Sequence, residues 1–248
     1  MARSTWNGRV ADWLWFLACG IASSVWCWTA ARELGATFDE PIYIQRGLEA
    51  WRTGSHQGLL QLGTMPLPVD VQTLPLYLWE RWQGIRFDPD QDLEQLLPWA
   101  RAGTLLFWWV LLVYARRAGR HLAGVWGGCL AVAFLSAEPM LLAHASLATT
   151  DLAVTACLLA LVYHYRTGRE SGWFRRVAVP ACWFGATVLA KASGLVFGPI
   201  CLVVVELEYR LTRDRIRALH HSPLTAHRSS HSHHFAATSR KSWPAVCC

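Results

Sequence analysis

Apolar residues along this chain form long runs that are separated by clusters of arginine. The first run, WLWFLACGIASSVWCWTAA, contains no charged side chain and is long enough to cross a hydrocarbon layer of about 30 Å as a helix. It is also too long and too rich in Trp for a removable signal peptide. The pattern predicts an all-α, polytopic membrane protein with about six transmembrane helices, at 13–31, 100–115, 122–137, 148–165, 177–190 and 193–208.

Two of these boundaries rest on single features of the sequence. Pro139 allows a short helix to begin before the fourth predicted span. The AKASG segment at 190–194 is the only candidate break in the apolar stretch 177–207, and it divides the fifth span from the sixth.

The arginine clusters predict the orientation of the chain. If residues 1–12 are cytoplasmic, every cluster falls on the cytoplasmic side, as the positive-inside rule requires. A net charge of +6 could indicate nucleic acid, but a nucleic-acid-binding face would not be interrupted by membrane spans. We therefore expect a multi-pass protein of the inner (plasma) membrane and no nucleic-acid partner. The clusters are Arg3 and Arg9; Arg116, Arg117 and Arg120; Arg166, Arg169, Arg175 and Arg176; and Arg210, Arg213, Arg215 and Arg217.

The segment 32–99 is expected to form a structured outer loop of the 13–217 transmembrane domain. Ile44, Leu48 and Trp51 recur at helical spacing, which predicts an amphipathic helix that lies in the headgroup plane, contacts membrane lipids and ends at Gly54. A second aromatic segment follows at 74–84. Residues 218–248 contain six of the ten His and many Ser without apolar periodicity, so we expect a disordered tail.

The first candidates for chemistry are Asp39 and Glu40, in the sequence FDEPIYIQRG. Asp is a favoured helix N-cap and Pro41 suits a first helical turn, so these acids could serve only to cap a helix. A cap needs only one short acceptor, however, and here two carboxylates stand together at the predicted outer membrane surface. Capping and catalysis both remain open from these residues alone.

Four further residues are candidates on the same predicted side. Asp151 precedes a long uncharged run, where a carboxylate either caps the helix or faces a cavity or a partner. His144 would share a helix face with Asp151 if one helix ran through both. Lys191 and Arg101 could each snorkel to the interface or hold an anionic phosphate group.

Taken in order, these segments resemble the GT-C glycosyltransferases of the protein O-mannosyltransferase and aminoarabinose-transferase type. FDEPIYIQRGLEAW is similar to the Asp-Glu motif of their first outer loop. The stretch from PWARAG to ATTDLAV is similar to their second to fourth spans, and LAKASGL is similar to a lysine-containing turn. The chain has TLPLYLW where many members have a His-Pro-Pro-Leu motif, and it stops where the family continues, which implies the N-terminal half only.

The resemblance implies transfer of a sugar from a polyprenyl-phosphate donor to a hydroxyl of a protein or lipid acceptor, with inversion, outside the cytoplasm. It makes Asp39 the catalytic base, with Glu40 orienting the acceptor or the helix. Asp151 and His144 would bind substrate, with a divalent metal ion as a further candidate ligand, while Lys191 and Arg101 would stabilise the leaving phosphate. The alternative expectation is a chain inactive through truncation, a non-catalytic or transporter-like membrane protein.

Overall fold

The computed structural model describes the backbone of residues 2–220 and the side chains of residues 10–213. Every regular element in this part of the chain is a helix, which confirms the all-α class. The predicted tail lies outside the described residues from 221 onward. The elements are α1 (Ala2–Glu33), α2 (Glu40–Thr53), α3 (Gln57–Gln61), α4 (Pro66–Gln83), α5 (Leu93–Ala137), α6 (Pro139–Ala145), α7 (Asp151–Thr167), a π-helical turn (Phe174–Ala178), α8 (Val179–Ala190) and α9 (Gly194–His220).

Helix α5 is folded on itself as a hairpin. Its backbone leaves helical geometry at Ala123 and Gly124, and Gly124 has a positive φ of 66°, a conformation that glycine adopts without steric cost. Gly119 before the break lies against Gly127 after it, which a continuous straight helix would not allow. The turn therefore separates the two helices predicted at 100–115 and 122–137.

Other predicted breaks are also present, although several helices run further than expected. Pro139 opens the short helix α6, and the non-helical residues 191–193 separate α8 from α9. Helix α1 begins before residue 13, and α9 continues past residue 208.

Two of the described helices are long and apolar enough to cross a membrane, Val10–Glu33 and Leu93–Ala137. Large apolar side chains on α1, among them Trp13, Leu14 and Trp26, face outward from the protein, as expected of a helix that contacts lipid. The prediction that the chain makes six crossings extends beyond this finding.

The main apolar core is built by α1, α5 and α7. Trp108 of α5 is fully buried beside Phe16 and Leu152, and its indole N–H donates to Ser23 Oγ at 3.0 Å. The partner for the indole matters because a buried N–H without an acceptor is costly. This core packs together α1 and the two helices that carry Arg101 and Asp151.

The segment 32–99 packs around a second apolar core. Ile44 and Leu48 of α2 are buried against Leu76 of α4 and Leu96 of α5. Helix α2 ends where the sequence predicts, since Gly54 closes it in the left-handed conformation. The expectation that its apolar side lies on lipid is wrong, because that side is covered by protein.

The chain divides into two compact units, residues 1–203 and 204–248. All candidate site residues belong to the first unit. In the described part of the second unit, Arg210 pairs with Glu206 one helical turn away.

Candidate functional site

A buried ion pair joins the start of α2 to α5. Arg101 donates from Nε to Glu40 Oε1 at 2.8 Å and from Nη2 to Oε2 at 2.7 Å, a two-pronged contact that matches the planar guanidinium to the carboxylate. Both side chains are 0% exposed. Charges this deep require complete pairing, because the cost of removing them from water is several kcal/mol per ion.

The remaining donors of Arg101 are also used within the protein. They reach the carbonyl oxygens of Ala31, Leu34 and Gly35 at 2.8 Å each, where α1 ends. All five guanidinium N–H groups therefore have protein acceptors. The prediction that Arg101 binds a phosphate is not supported, since it has no donor left for one.

Glu40 is satisfied in the same way. Besides Arg101, it accepts the backbone N–H of Thr37 at 2.8 Å and that of Ala148 at 2.7 Å. Burial would by itself raise the pKa of Glu40, but the bonds from Arg101, Thr37 and Ala148 outweigh it and lower that pKa below its ordinary value of 4.5. Glu40 is therefore an ionised anchor that ties together α1, α2, α5 and the loop before α7.

The loop before α7, residues 146–150, has a second attachment that the sequence analysis missed. The amide of Gln72 on α4 donates to the carbonyl of Thr149 at 2.9 Å and to Thr104 Oγ1 at 3.0 Å. Thr104 in turn donates to the carbonyl of Leu147 at 3.0 Å. The available signal was a polar residue at helical spacing from buried Val69 and Leu76.

Asp39 precedes this anchor and is in a different environment. It occupies the N-cap position of α2, but its side chain makes no capping hydrogen bond. It is exposed, and among the described residues no hydrogen bond or ion pair involves its carboxylate. The sequence left capping and catalysis open for Asp39. The capping hydrogen bond is absent, so Asp39 is a free carboxylate next to the buried Glu40–Arg101 pair.

Asp151 and Lys191 form an ion pair at the same end of the helices. Asp151 is the first residue of α7, and Lys191 follows α8 in an extended conformation. The Lys191 ammonium donates to Asp151 Oδ1, and the two side chains remain 40% and 46% exposed. The pair is therefore accessible to solvent or to a ligand.

His144 is separated from Asp151 by a break in the helix. It belongs to α6, and the chain is not helical between Ala145 and Asp151, so the condition under which the two residues would share a helix face is not met. Its Nδ1 is buried and has no hydrogen-bond partner among the described residues.

The described residues do not contain a group of three or more His, Cys, Asp or Glu side chains that could hold a metal ion. Two of the acids at this end are already bound to cations, Glu40 to Arg101 and Asp151 to Lys191. The contacts that are present hold the loops, whereas the carboxylate of Asp39 has no such partner among the described residues.

The chain was compared with models of protein families, with curated proteins and with solved structures, and none of the three comparisons gave a match.

Proposed function

We propose that this protein transfers a sugar from a polyprenyl-phosphate donor to an acceptor hydroxyl at the outer membrane surface. The observation that carries the proposal is the state of Asp39, an exposed carboxylate without a partner among the described residues. It is attached directly to Glu40, whose buried contacts fix the backbone at that point. A base that must accept a proton requires this combination of freedom and fixed position.

In this reaction Asp39 takes the proton of the acceptor hydroxyl. The acceptor oxygen forms a bond to the anomeric carbon while the bond from that carbon to the phosphate oxygen breaks. The electron pair of the broken bond leaves with the polyprenyl phosphate, which is stable as an anion and needs no general acid. Attack opposite the phosphate gives inversion at the anomeric carbon.

Lys191 is the cation best suited to the leaving phosphate. Its ammonium is partly exposed and, within the described residues, pairs with Asp151 alone, so a phosphate could share it without uncovering a buried charge. Asp151 would then be available for sugar hydroxyls. Glu40 and Arg101 act as positioning residues in this proposal, because their polar atoms are bound within the protein.

The proposal is tested by transfer of radiolabelled sugar from a polyprenyl phosphate to extracted membrane acceptors. The full chain, purified in a mild detergent, is compared with Asp39→Asn, which removes the base and keeps the side-chain shape. We expect Asp39→Asn to lower the transfer rate by about 10²- to 10⁴-fold, the usual contribution of a general base.

The matched control is Asp90→Asn, a second exposed acid of the outer segment. It should transfer at the rate of the unchanged chain. Equal rates for the unchanged chain and Asp39→Asn would remove Asp39 as the base. Absence of transfer with every donor sugar, by a chain whose helical content is intact, would favour the non-catalytic alternative.

A further inference from the structure

Helix α4 carries two different concave surfaces on either side of its last turns. One is a cavity of about 490 Å³ lined only by apolar and aromatic side chains: Pro75, Leu78, Trp79, Trp82 and Trp99. The other is a cavity of about 430 Å³ with a basic lining: Arg52, Tyr77, Glu80, Arg81, Gly84, Ile85 and Arg86. The two cavities share no lining residue, but the consecutive residues Arg81 and Trp82 belong one to each, so the last turn of α4 presents a basic and an apolar surface at the same helix end. This combination matches the amphipathic character of a phospholipid.

The notch has an excess of positive charge that the protein does not neutralise. Glu80 is its only acid, and both of its carboxylate oxygens are used: Oε2 accepts Arg52 Nε at 3.1 Å, and Oε1 accepts Arg52 Nη2 and the N–H of Phe87. Arg81 and Arg86 are exposed, and within the described residues neither has a hydrogen bond or an ion pair. Two guanidinium groups are thus free to bind an anion.

The groove belongs to a row of aromatic rings. The ring of Trp99 lies 5.6 Å from that of Trp28 and 6.1 Å from that of Trp79, which in turn lies 5.1 Å from Phe87. Trp28 and Trp99 come from the two helices that are apolar enough to cross a membrane, within three residues of Ala31 and Arg101, which are hydrogen-bonded to each other. Aromatic rings at such helix ends typically mark the headgroup level of a bilayer.

Trp82 points to lipid as the occupant of the groove. Its side chain is 87% exposed, although a large aromatic surface is normally covered. The attraction of a helix C-terminus for cations accounts for a basic residue such as Arg81 in the last turn, but it does not account for Trp82 one residue later. An acyl chain would cover the exposed ring of Trp82, and a headgroup phosphate would pair with the arginines.

We propose that the end of α4 binds an anionic phospholipid, with its phosphate held by Arg81, Arg86 and the remaining donors of Arg52, and its upper acyl chain against Trp79 and Trp82. This site is separate from Asp39 and does not depend on the proposed transfer reaction. Its role is to hold the outer segment at a fixed depth in the membrane interface.

The test counts lipids bound to the full chain in a neutral detergent by native mass spectrometry. Dilauroyl phosphatidylglycerol and dilauroyl phosphatidylcholine are titrated separately. We expect the anionic lipid to bind at least about ten times more tightly, since each basic side chain contributes about 1 kcal/mol of attraction to anionic lipid. The Arg81→Gln/Arg86→Gln variant should bind phosphatidylglycerol about 25-fold more weakly.

Two further variants separate the parts of the site. Arg32→Gln/Arg213→Gln removes the same charge from exposed positions elsewhere and should leave phosphatidylglycerol affinity unchanged. Trp82→Ala should weaken both lipids by a similar factor, because it removes the acyl contact and keeps the charges. Circular dichroism should show that each variant is folded, because the substituted side chains are exposed.

Two results would overturn the proposal. Unchanged phosphatidylglycerol affinity in Arg81→Gln/Arg86→Gln would show that the arginines do not hold the headgroup. Displacement of the lipid by millimolar inorganic phosphate, together with normal lipid binding by Trp82→Ala, would indicate a simple anion site without an acyl groove.

Discussion

Two ion pairs lie at the same end of this molecule and differ in nearly every physical respect. The pair of Glu40 with Arg101 is fully buried and surrounded by backbone donors and acceptors, whereas the pair of Asp151 with Lys191 is almost half exposed and rests on one contact. A buried charge that loses its partner cannot return to water, but an exposed one can. The first pair is thus suited to fix the backbone, and the second is suited to exchange partners with a ligand.

The largest effect on stability is expected from Glu40→Gln, which tests whether the buried pair fixes the backbone. This change leaves the Arg101 charge buried without its counter-ion, and breaking a buried pair in this way costs about 3–5 kcal/mol. We expect the free energy of unfolding to fall by that amount in a denaturant titration of the detergent-purified chain. Asp39→Asn, one residue away and without a bond to lose, should unfold like the unchanged chain. A loss as small for Glu40→Gln as for Asp39→Asn would show that the buried pair does not hold the fold.

The charge of Glu40 also predicts a dependence of stability on pH. Its pKa in the folded protein lies below the ordinary value of 4.5, because hydrogen bonds to the carboxylate outweigh the effect of burial. Its contribution is therefore complete above pH 4.5 and is lost as the pH falls through the folded-state pKa. We expect unfolding free energies measured from about pH 6 to about pH 3 to decline more steeply for the unchanged chain than for Glu40→Gln. Parallel curves would contradict the assigned pKa shift.

The attachment of α4 to the site can be broken at Gly103. A Cβ there would lie 2.6 Å from the Cα of Gln72 and 2.9 Å from the carbonyl oxygen of Val71, both parts of the α4 backbone. Gly103→Ala should therefore push α4 away from α5 and cost about 1–3 kcal/mol of unfolding free energy. The matched control is Gly185→Ala, a helical glycine with open space around it, which should be neutral or slightly stabilising. Equal effects of the two changes would mean that the close approach is not a constraint.

Much of the helical pattern could be predicted from the sequence because it depends on local features. Apolar runs, the glycine that closes α2, the prolines that open helices and the basic turn within α5 all act over a few residues. The prediction failed where a helix face could be covered by either lipid or protein. The apolar stripe of α2 is the example, since its period does not reveal what lies against it.

The different fates of Asp39 and Glu40 could not be predicted. Successive helical residues point about 100° apart, so adjacent acids readily face different surroundings. Besides nearby Thr37, the partners of Glu40 lie 61 and 108 positions away along the chain, and no local pattern identifies these two. The sequence could indicate that the Asp-Glu pair matters, but only the packing shows which acid is the anchor.

The smallest effect on stability is expected for the exposed pair. A double-mutant cycle with Asp151→Asn and Lys191→Met should give a coupling energy of about 0–1 kcal/mol, because solvent screens side chains exposed to this degree. The coupling should fall further in high salt. A value near that of Glu40 with Arg101 would mean that the exposed pair also fixes the backbone. Lys191 could then not leave Asp151 to bind a phosphate without loosening the end of α8. The proposed difference, in which the buried pair fixes the backbone and the exposed pair exchanges partners, would then be wrong.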